Sequence, residues 1–457
     1  MVLPPEAAGQ AFAAAEDERA RNRQTRLAAV ASVVGTSIEW YDFFLYGTAA
    51  AIVFPSVFFP SSSTYAGTLE SFATYAVGFA ARPVGAAIFG HWGDRIGRKA
   101  TLIVTLLMMG VASALVGVLP GTSSIGIAAP ILLVVLRLLQ GIAVGGEWSG
   151  SVLLSMEWGK QQRRGLMASW PQAGVPIGLL LGTGAMTAIA LSTEAAFKAW
   201  AWRIPFLASL LLVAIGLWVR LKVMETPLFA RLTARQAVAR VPVAEVIRRH
   251  PKEIILSAFL RMSEQAPFYI YTTFALSYIK DDLKQKEGIA LAAVSVAAAF
   301  ELILIPAFGH LSDRLGRRPL YATGAVLIAA AAFPAFLLLN TKSAGLIIVG
   351  IVILAIPHAM QYGPQSSYIA ESFPTRLAYG GSGLGYQLAS LIAGGPAPLL
   401  ATWMLPHFGW QAIGVYIIAC SVLTLIAIAL LPDRRHADLA AVAPPLPATA
   451  TDGAAGG

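Results

Sequence analysis

Apolar residues run along this chain in stretches of about 20, and the charged residues fall in short clusters between them. About 20 apolar residues in a helix cross a hydrocarbon core of ~30 Å. On that basis twelve spans are predicted, at 27–54, 68–90, 100–119, 128–155, 165–191, 201–221, 253–279, 288–309, 319–340, 344–369, 378–403 and 408–431. The expected fold class is an all-α membrane protein. Residues 1–26 are polar and mix acids with arginines, and the apolar run that follows is too long for a cleaved signal peptide, so a retained N-terminal tail is expected. Residues 222–252 are basic and partly amphipathic, with Pro227, Pro242 and Pro251 as breakers, and read as a linker between two sets of six spans. The Ala-, Pro- and Gly-rich segment 432–457 is expected to be disordered.

Charge fixes the orientation. Of the 33 Lys and Arg residues, 24 lie on segments that share a side with the N-terminus and five on the other side. Arg82, Arg137, Arg203 and Arg261 fall within spans or at their edges. The positive-inside rule then places both termini in the cytoplasm, in an inner (cell) membrane. Composition agrees, with 57% hydrophobic and 12% charged residues against roughly 25% charged in a soluble domain. The net charge of +9 is dispersed between apolar runs, which argues against nucleic acid as a partner and for the lipid bilayer. Cys420 is alone, and the six histidines have no metal-ligand spacing, so no metal site is expected. Gly381 to Gly385 is glycine-rich, but no strand precedes it and no GK[ST] follows, so it reads as helix packing. With no nucleophile motif either, no catalytic residue, enzyme activity or cofactor is expected.

The chain is internally duplicated. Residues 90–99 read GHWGDRIGRK and residues 309–318 read GHLSDRLGRR, an offset of 219 that divides the spans six and six. This GxxxDRxGRK/R pattern after the second and eighth spans resembles the signature of the major facilitator superfamily. Ser37 to Gly47 (SIEWYDFFLYG), Phe79 to Gly85 (FAARPVG), Arg137 to Trp148 (RLLQGIAVGGEW) and Trp202 to Phe206 (WRIPF) resemble its metabolite:proton symporter branch. The resemblance spans roughly residues 30–432. It implies two pseudo-symmetric six-helix bundles, 27–221 and 253–431, that expose a midplane site to each side in turn. It also implies a small polar substrate taken up with protons, a proton gradient as energy source, and a monomer. An organic acid, shikimate-like or a di- or tricarboxylate, is the leading substrate class. A zwitterionic osmolyte such as proline or betaine is the first alternative and drug/proton antiport the second.

Candidate chemistry follows from intramembrane charge, since each such group costs ~2.5–3.5 kcal/mol at a helix centre and needs compensation. Glu39 and Asp42 are three residues apart on one helical face, and close like charges favour holding a proton between them. Arg82 lies at a depth within ~6 Å of Glu39 and is expected to pair with it. The offset of 219 maps Arg82 onto Glu301, whose expected partner is Arg261, with Glu264 three residues on. Arg137 and Glu147, on opposite faces of the fourth span, are expected to answer to different partners while serving proton coupling. Substrate contacts are expected from Tyr41, Tyr46, Arg82, Gln172, Gln265, Tyr271, Gln361 and Gln387; His358 reads first as a hydrogen-bonded core histidine. The resemblance makes the repeated loops a cytoplasmic gate built from Gly90, Asp94, Arg95, Gly97 and Arg98 and from Asp313, Arg314 and Arg317. Glu157 with Arg164, and Glu371 with Arg376, are expected to complete it.

Overall fold

The computed structural model describes residues 5–60, 64–190, 200–234 and 242–434, and these are helical with no strand among them. The first half comprises α1 (Pro5–Ile52), α2 (Thr64–Ile96), α3 (Arg98–Val118), α4 (Ala128–Trp158), α5 (Arg164–Ala190) and α6 (Arg203–Lys222). Two short helices, α7 (Pro227–Ala234) and α8 (Pro242–Arg249), belong to the segment expected to be a linker. The second half comprises α9 (Pro251–Leu260), α10 (Met262–Tyr269), α11 (Glu287–Leu315), α12 (Arg317–Asn340), α13 (Ala344–Glu371), α14 (Ala378–Ala389) and α15 (Pro396–Leu430). Among the described residues, seven helical stretches are individually long and apolar enough to cross a membrane.

The expected spans map onto these helices with instructive departures. The segment expected as an N-terminal tail is helical from Pro5, because α1 continues from there through the first apolar run without a break. The seventh span is broken at Arg261 between α9 and α10 and continues through π-helical turns at Ile270–Phe274 and Tyr278–Asp282. The eleventh passes from α14 through a π-turn at Ser390–Gly394 into α15, and the turn to the twelfth comes at Gly409, where φ is +72°. Most of the expected disordered segment, from residue 435, lies outside the described residues.

The duplication is visible in the backbone. Gly97 and Gly316, related by the same offset, have φ of +112° and +106° and separate α2 from α3 and α11 from α12. Only glycine takes such a conformation without strain, so this residue sets the sharp turn in both halves. Within the first half α1 packs on α5 and α2 on α4; within the second, α13 packs on α11 and α12. The main contacts that join the halves are α5 on α11 and α13, and α14 on α2 and α4. The site lies between these seams.

Candidate functional site

The acidic face of α1 opens onto a cavity of about 10 Å3, lined by Glu39, Asp42, Arg82, Arg137 and Gln140 among others. All five are buried. Asp42 Oδ1 accepts a 2.5 Å hydrogen bond from Ser209 Oγ of α6. Arg82 does not pair with Glu39 as expected; its guanidinium lies 4.5 Å over the Phe79 ring and 5.0 Å from that of Phe43. Arg137 sits 4.2 Å over Tyr46 and 4.9 Å over Tyr75, and donates from Nη1 to Gln140 Oε1 at 3.3 Å. Neither arginine has a carboxylate within ion-pair distance among the described residues. Depth along two helices brought Arg82 and Glu39 into one cavity, but the aromatic faces of Phe43 and Phe79 claim the guanidinium.

Glu147 answers to Arg220 at the end of α6, a very short contact in which Arg220 also donates to Leu102 O. Arg220 was countable in the sequence only as one more basic residue near the linker, because its partner lies 73 positions away. Tyr379 ties this pair to the second half by donating from its hydroxyl to Gly146 O at 2.6 Å.

The second half holds a different constellation. Arg261 pairs with Glu264 at 3.3 Å, lies 3.3 Å over the Tyr386 ring and donates to Tyr386 O. Glu301 does not meet Arg261. Instead it accepts from Tyr271 OH at 2.5 Å and contacts His358 Nδ1 at 2.5 Å. The other ring nitrogen of His358 lies 3.5 Å from Glu264, so a buried imidazole stands between two carboxylates. Gln365, which the sequence gave no reason to single out, donates to Glu264 at 2.7 Å.

The uncharged candidates scatter. Tyr41 faces away from the cavity and donates to Pro205 O on α6, because one residue from Asp42 is a rotation of about 100° around the helix. Tyr46 bonds Thr74, although its ring supports Arg137. Gln172 accepts from Trp148, whose ring stacks 3.7 Å from Tyr386 across the halves. Gln265 reaches Ser390, Gln361 accepts from Ser263, and Gln387 reaches Val144 O of the opposite half at 3.5 Å. An aromatic layer that includes Trp40, Phe43, Phe79, Phe268 and Tyr269 spans the two halves, with Phe79 and Tyr269 5.6 Å apart.

The signature loops form a reciprocal clamp. Asp94 accepts from the backbone N–H of Tyr379 and Gly380 at the start of α14, at 3.2 and 3.0 Å. Asp313 accepts from Gly165 and Leu166 at the start of α5, at 2.8 and 3.0 Å. Each repeat thus caps a helix N-terminus of the other, where orphan donors and the macrodipole favour an anion. Gly90 packs so closely on Gly380 that a Cβ at position 90 would lie 2.6 Å from Gly380 Cα. The expected carboxylate partners are corrected: Glu157 holds Arg98 at 3.4 Å and Thr226 at 2.5 Å, Glu371 holds Arg317 at 3.1 Å, and Arg376 pairs with Glu245 of α8 at 2.6 Å. These pairings win because Arg98 and Arg317 follow the left-handed glycines and are turned inward. Arg164 is buried in the electrostatic field of Glu371. Arg95 and Arg314 are exposed, Arg95 contacting His91, and among the described residues no hydrogen bond or ion pair links either of them to the opposite half. Burial pushes the carboxyls of Glu157 and Glu371 upward, against the pull of Arg98 and Arg317 respectively.

Comparison with known proteins is consistent along most of the chain. Residues 33–395, and in an overlapping match 267–449, fit the profile described as Major Facilitator Superfamily. The chain is 41% identical over 420 residues to the shikimate transporter of Escherichia coli K12, covering 91% of this chain and 96% of that one. It is 33% identical over 390 residues to the proline/betaine transporter of Salmonella typhimurium LT2, covering 83% and 78%. Among solved structures, the proton:xylose symporter XylE bound to 6-bromo-6-deoxy-D-glucose superposes with a TM-score of 0.75 at 17% identity, over 92% of this chain and 98% of that one.

Proposed function

We propose that this chain, which belongs to the Major Facilitator Superfamily and is a membrane transporter rather than an enzyme, takes up a small organic anion together with protons. Twelve crossings in two halves, 27–221 and 253–431, alternate around the central site, with both termini cytoplasmic and the signature loops forming the inner gate. One observation carries the reading: Arg82 and Arg137 are buried without a carboxylate partner while Glu39 and Asp42 line the same cavity. While both carboxyls are ionised they balance the two cations at a distance. A proton on either leaves a net positive site, and a substrate carboxylate restores neutrality with the bidentate geometry that arginine offers. Anion and proton therefore favour one another's binding, which is the thermodynamic requirement of symport. A cavity of about 10 Å3 is far below the ~300 Å3 of a small-molecule pocket, so admission requires the halves to part.

The second reading, a zwitterionic osmolyte, draws on the aromatic layer, since ring faces attract quaternary ammonium groups. It is the weaker one, because Arg82 and Arg137 already occupy the faces of Phe43, Phe79, Tyr46 and Tyr75. Reconstituted protein tests both: shikimate, 2-oxoglutarate, citrate, short monocarboxylates, proline and betaine are added outside proteoliposomes and internal pH is followed. Inward proton flux with a carboxylate supports anion symport. Flux with proline or betaine alone establishes the second reading, and a response to none of them, with working controls, rejects both and directs the search to antiport of hydrophobic cations.

A further inference from the structure

A second cavity is larger than the central one. A cleft of about 700 Å3 lies at the signature end, between the polar first part of α1, the end of α4, the start of α5 and the segment leading into α7. Arg21 and Arg23 of α1 and Arg231 of α7 line it, and none of the three has an ion-pair partner among the described residues. Arg164 contributes a fourth guanidinium from the buried side. Glu157 is the one acid in the lining, and its oxygens are already engaged by Arg98 and Thr226. Met156, Trp158 and Met224 give the cleft an apolar floor.

The walls are tied to one another. Gln24 Oε1 accepts from Met224 N at 3.1 Å, Thr25 Oγ1 donates to Trp158 O at 2.9 Å, and Trp158 Nε1 donates to Met224 O at 3.3 Å. The cleft is therefore held in shape by the junction of α1, α4 and the linker. It sits just beyond the apolar runs of α4 and α6, at the level where a bilayer gives way to water.

We propose that this cleft binds a phosphate-bearing anion. Guanidinium groups match phosphate oxygens in planar, charge-assisted pairs, and several converging on one concavity favour a compact, multiply charged oxyanion over a dispersed carboxylate. The volume falls within the range of small-molecule sites, and the apolar floor suits the carbon skeleton of a phosphate ester. The phosphate comes either from solution or from the headgroup of an acidic lipid, which basic residues at this depth attract. The site stands independently of the transport reading, because none of Arg21, Arg23 and Arg231 lines the central cavity or belongs to the interlocking loops.

The test compares the unmodified protein with Arg21→Gln/Arg23→Gln/Arg231→Gln and with a control, Arg248→Gln/Lys252→Gln, drawn from basic residues outside the cleft. In detergent, thermal unfolding is followed against inorganic phosphate, with sodium chloride at matched ionic strength as reference. In nanodiscs, it is followed in phosphatidylcholine with and without phosphatidylglycerol. A saturable rise in midpoint with phosphate, retained in the control and weakened at least about tenfold in the triple variant, places a free phosphate in the cleft. A rise only with phosphatidylglycerol, again lost in the triple variant, places a headgroup there. Arg231→Gln alone gives the same comparison should the triple variant fold poorly. No response to either probe, or an equal response in the triple variant, overturns the proposal.

Discussion

At the scale of single residues the central cavity separates two roles that share one charge. Asp42 is bonded to Ser209 on its own half, whereas Arg82 and Arg137 are held by aromatic faces and hydrogen bonds without an anion. Replacing Asp42 by Asn preserves size and one acceptor but removes the titratable site, and Asp42→Asn is expected to abolish uphill, pH-driven uptake while leaving counterflow of substrate measurable. Loss of both activities at normal protein levels would assign Asp42 to binding or structure instead. Arg82→Lys keeps the charge and loses the planar fork. A charge-assisted hydrogen bond is worth about 1.5–3 kcal/mol, so KM for the transported anion should rise roughly ten- to hundredfold with expression and thermal midpoint little changed. An unchanged KM would remove Arg82 from anion recognition.

At the scale of elements, the interlocking of α2 with α14 and α11 with α5 couples the gate to acidity. Asp94 lies beyond the apolar run that ends at residue 90. Burial pushes its carboxyl from 3.8 up to about 7, against the pull of Arg98 and of the N–H groups of Gly380 and Tyr379. Once solvated in an open gate, it returns towards its ordinary value. The closed gate therefore binds a proton that the open gate does not in the window between 3.8 and about 7. It gains stability as pH falls through that window and loses it as pH rises to about 7. Hydrogen exchange at the amides of Tyr379 and Gly380, corrected for intrinsic rates, should show protection falling across that rise, and Asp94→Asn should flatten the profile. Protection independent of pH in the unmodified protein would sink this account.

The same elements show what was legible in advance. The apolar runs, the offset of 219 and the Gly-Asp-Arg pattern are local or periodic signals, and they marked the helices, both loops and the shared face of Glu39 and Asp42. Partner choice was not local. Whether Glu301 meets Arg261 or His358 depends on α13 bringing a residue 57 positions away within 2.5 Å. The partners of Asp94 and Asp313 in the opposite half are backbone N–H groups, which carry no residue identity and so leave no mark in a sequence. Gly381 to Gly385 read as helix packing, but nothing in the sequence marked Gly380, one residue before them, as the neighbour of Gly90.

For the molecule as a whole, duplication turns one clamp into two. Asp94 fastens the first half to the second and Asp313 fastens the second to the first, at related positions and with the same kind of partner. Two conformations of a carrier differ by only a few kcal/mol, and each aspartate here accepts two backbone hydrogen bonds, each worth about 0.5–1.5 kcal/mol. Either loss alone should therefore shift the population measurably, and the two losses should add to the extent that the clamps do not share contacts. Cys420 is buried and is the one cysteine of the chain, so Cys420→Ser gives a clean background for labels. Arg95→Cys and Arg314→Cys then place spin labels on exposed positions of α2 and α11, in opposite halves. Pulsed electron spin resonance should give one dominant short distance in this background. Asp94→Ala or Asp313→Ala, which remove the acceptors, should add a longer component, and the double variant should make the longer component dominant. If the double variant keeps the short distance, these contacts follow gate closure without stabilising it, and the difference between the two conformations must reside in the central charges.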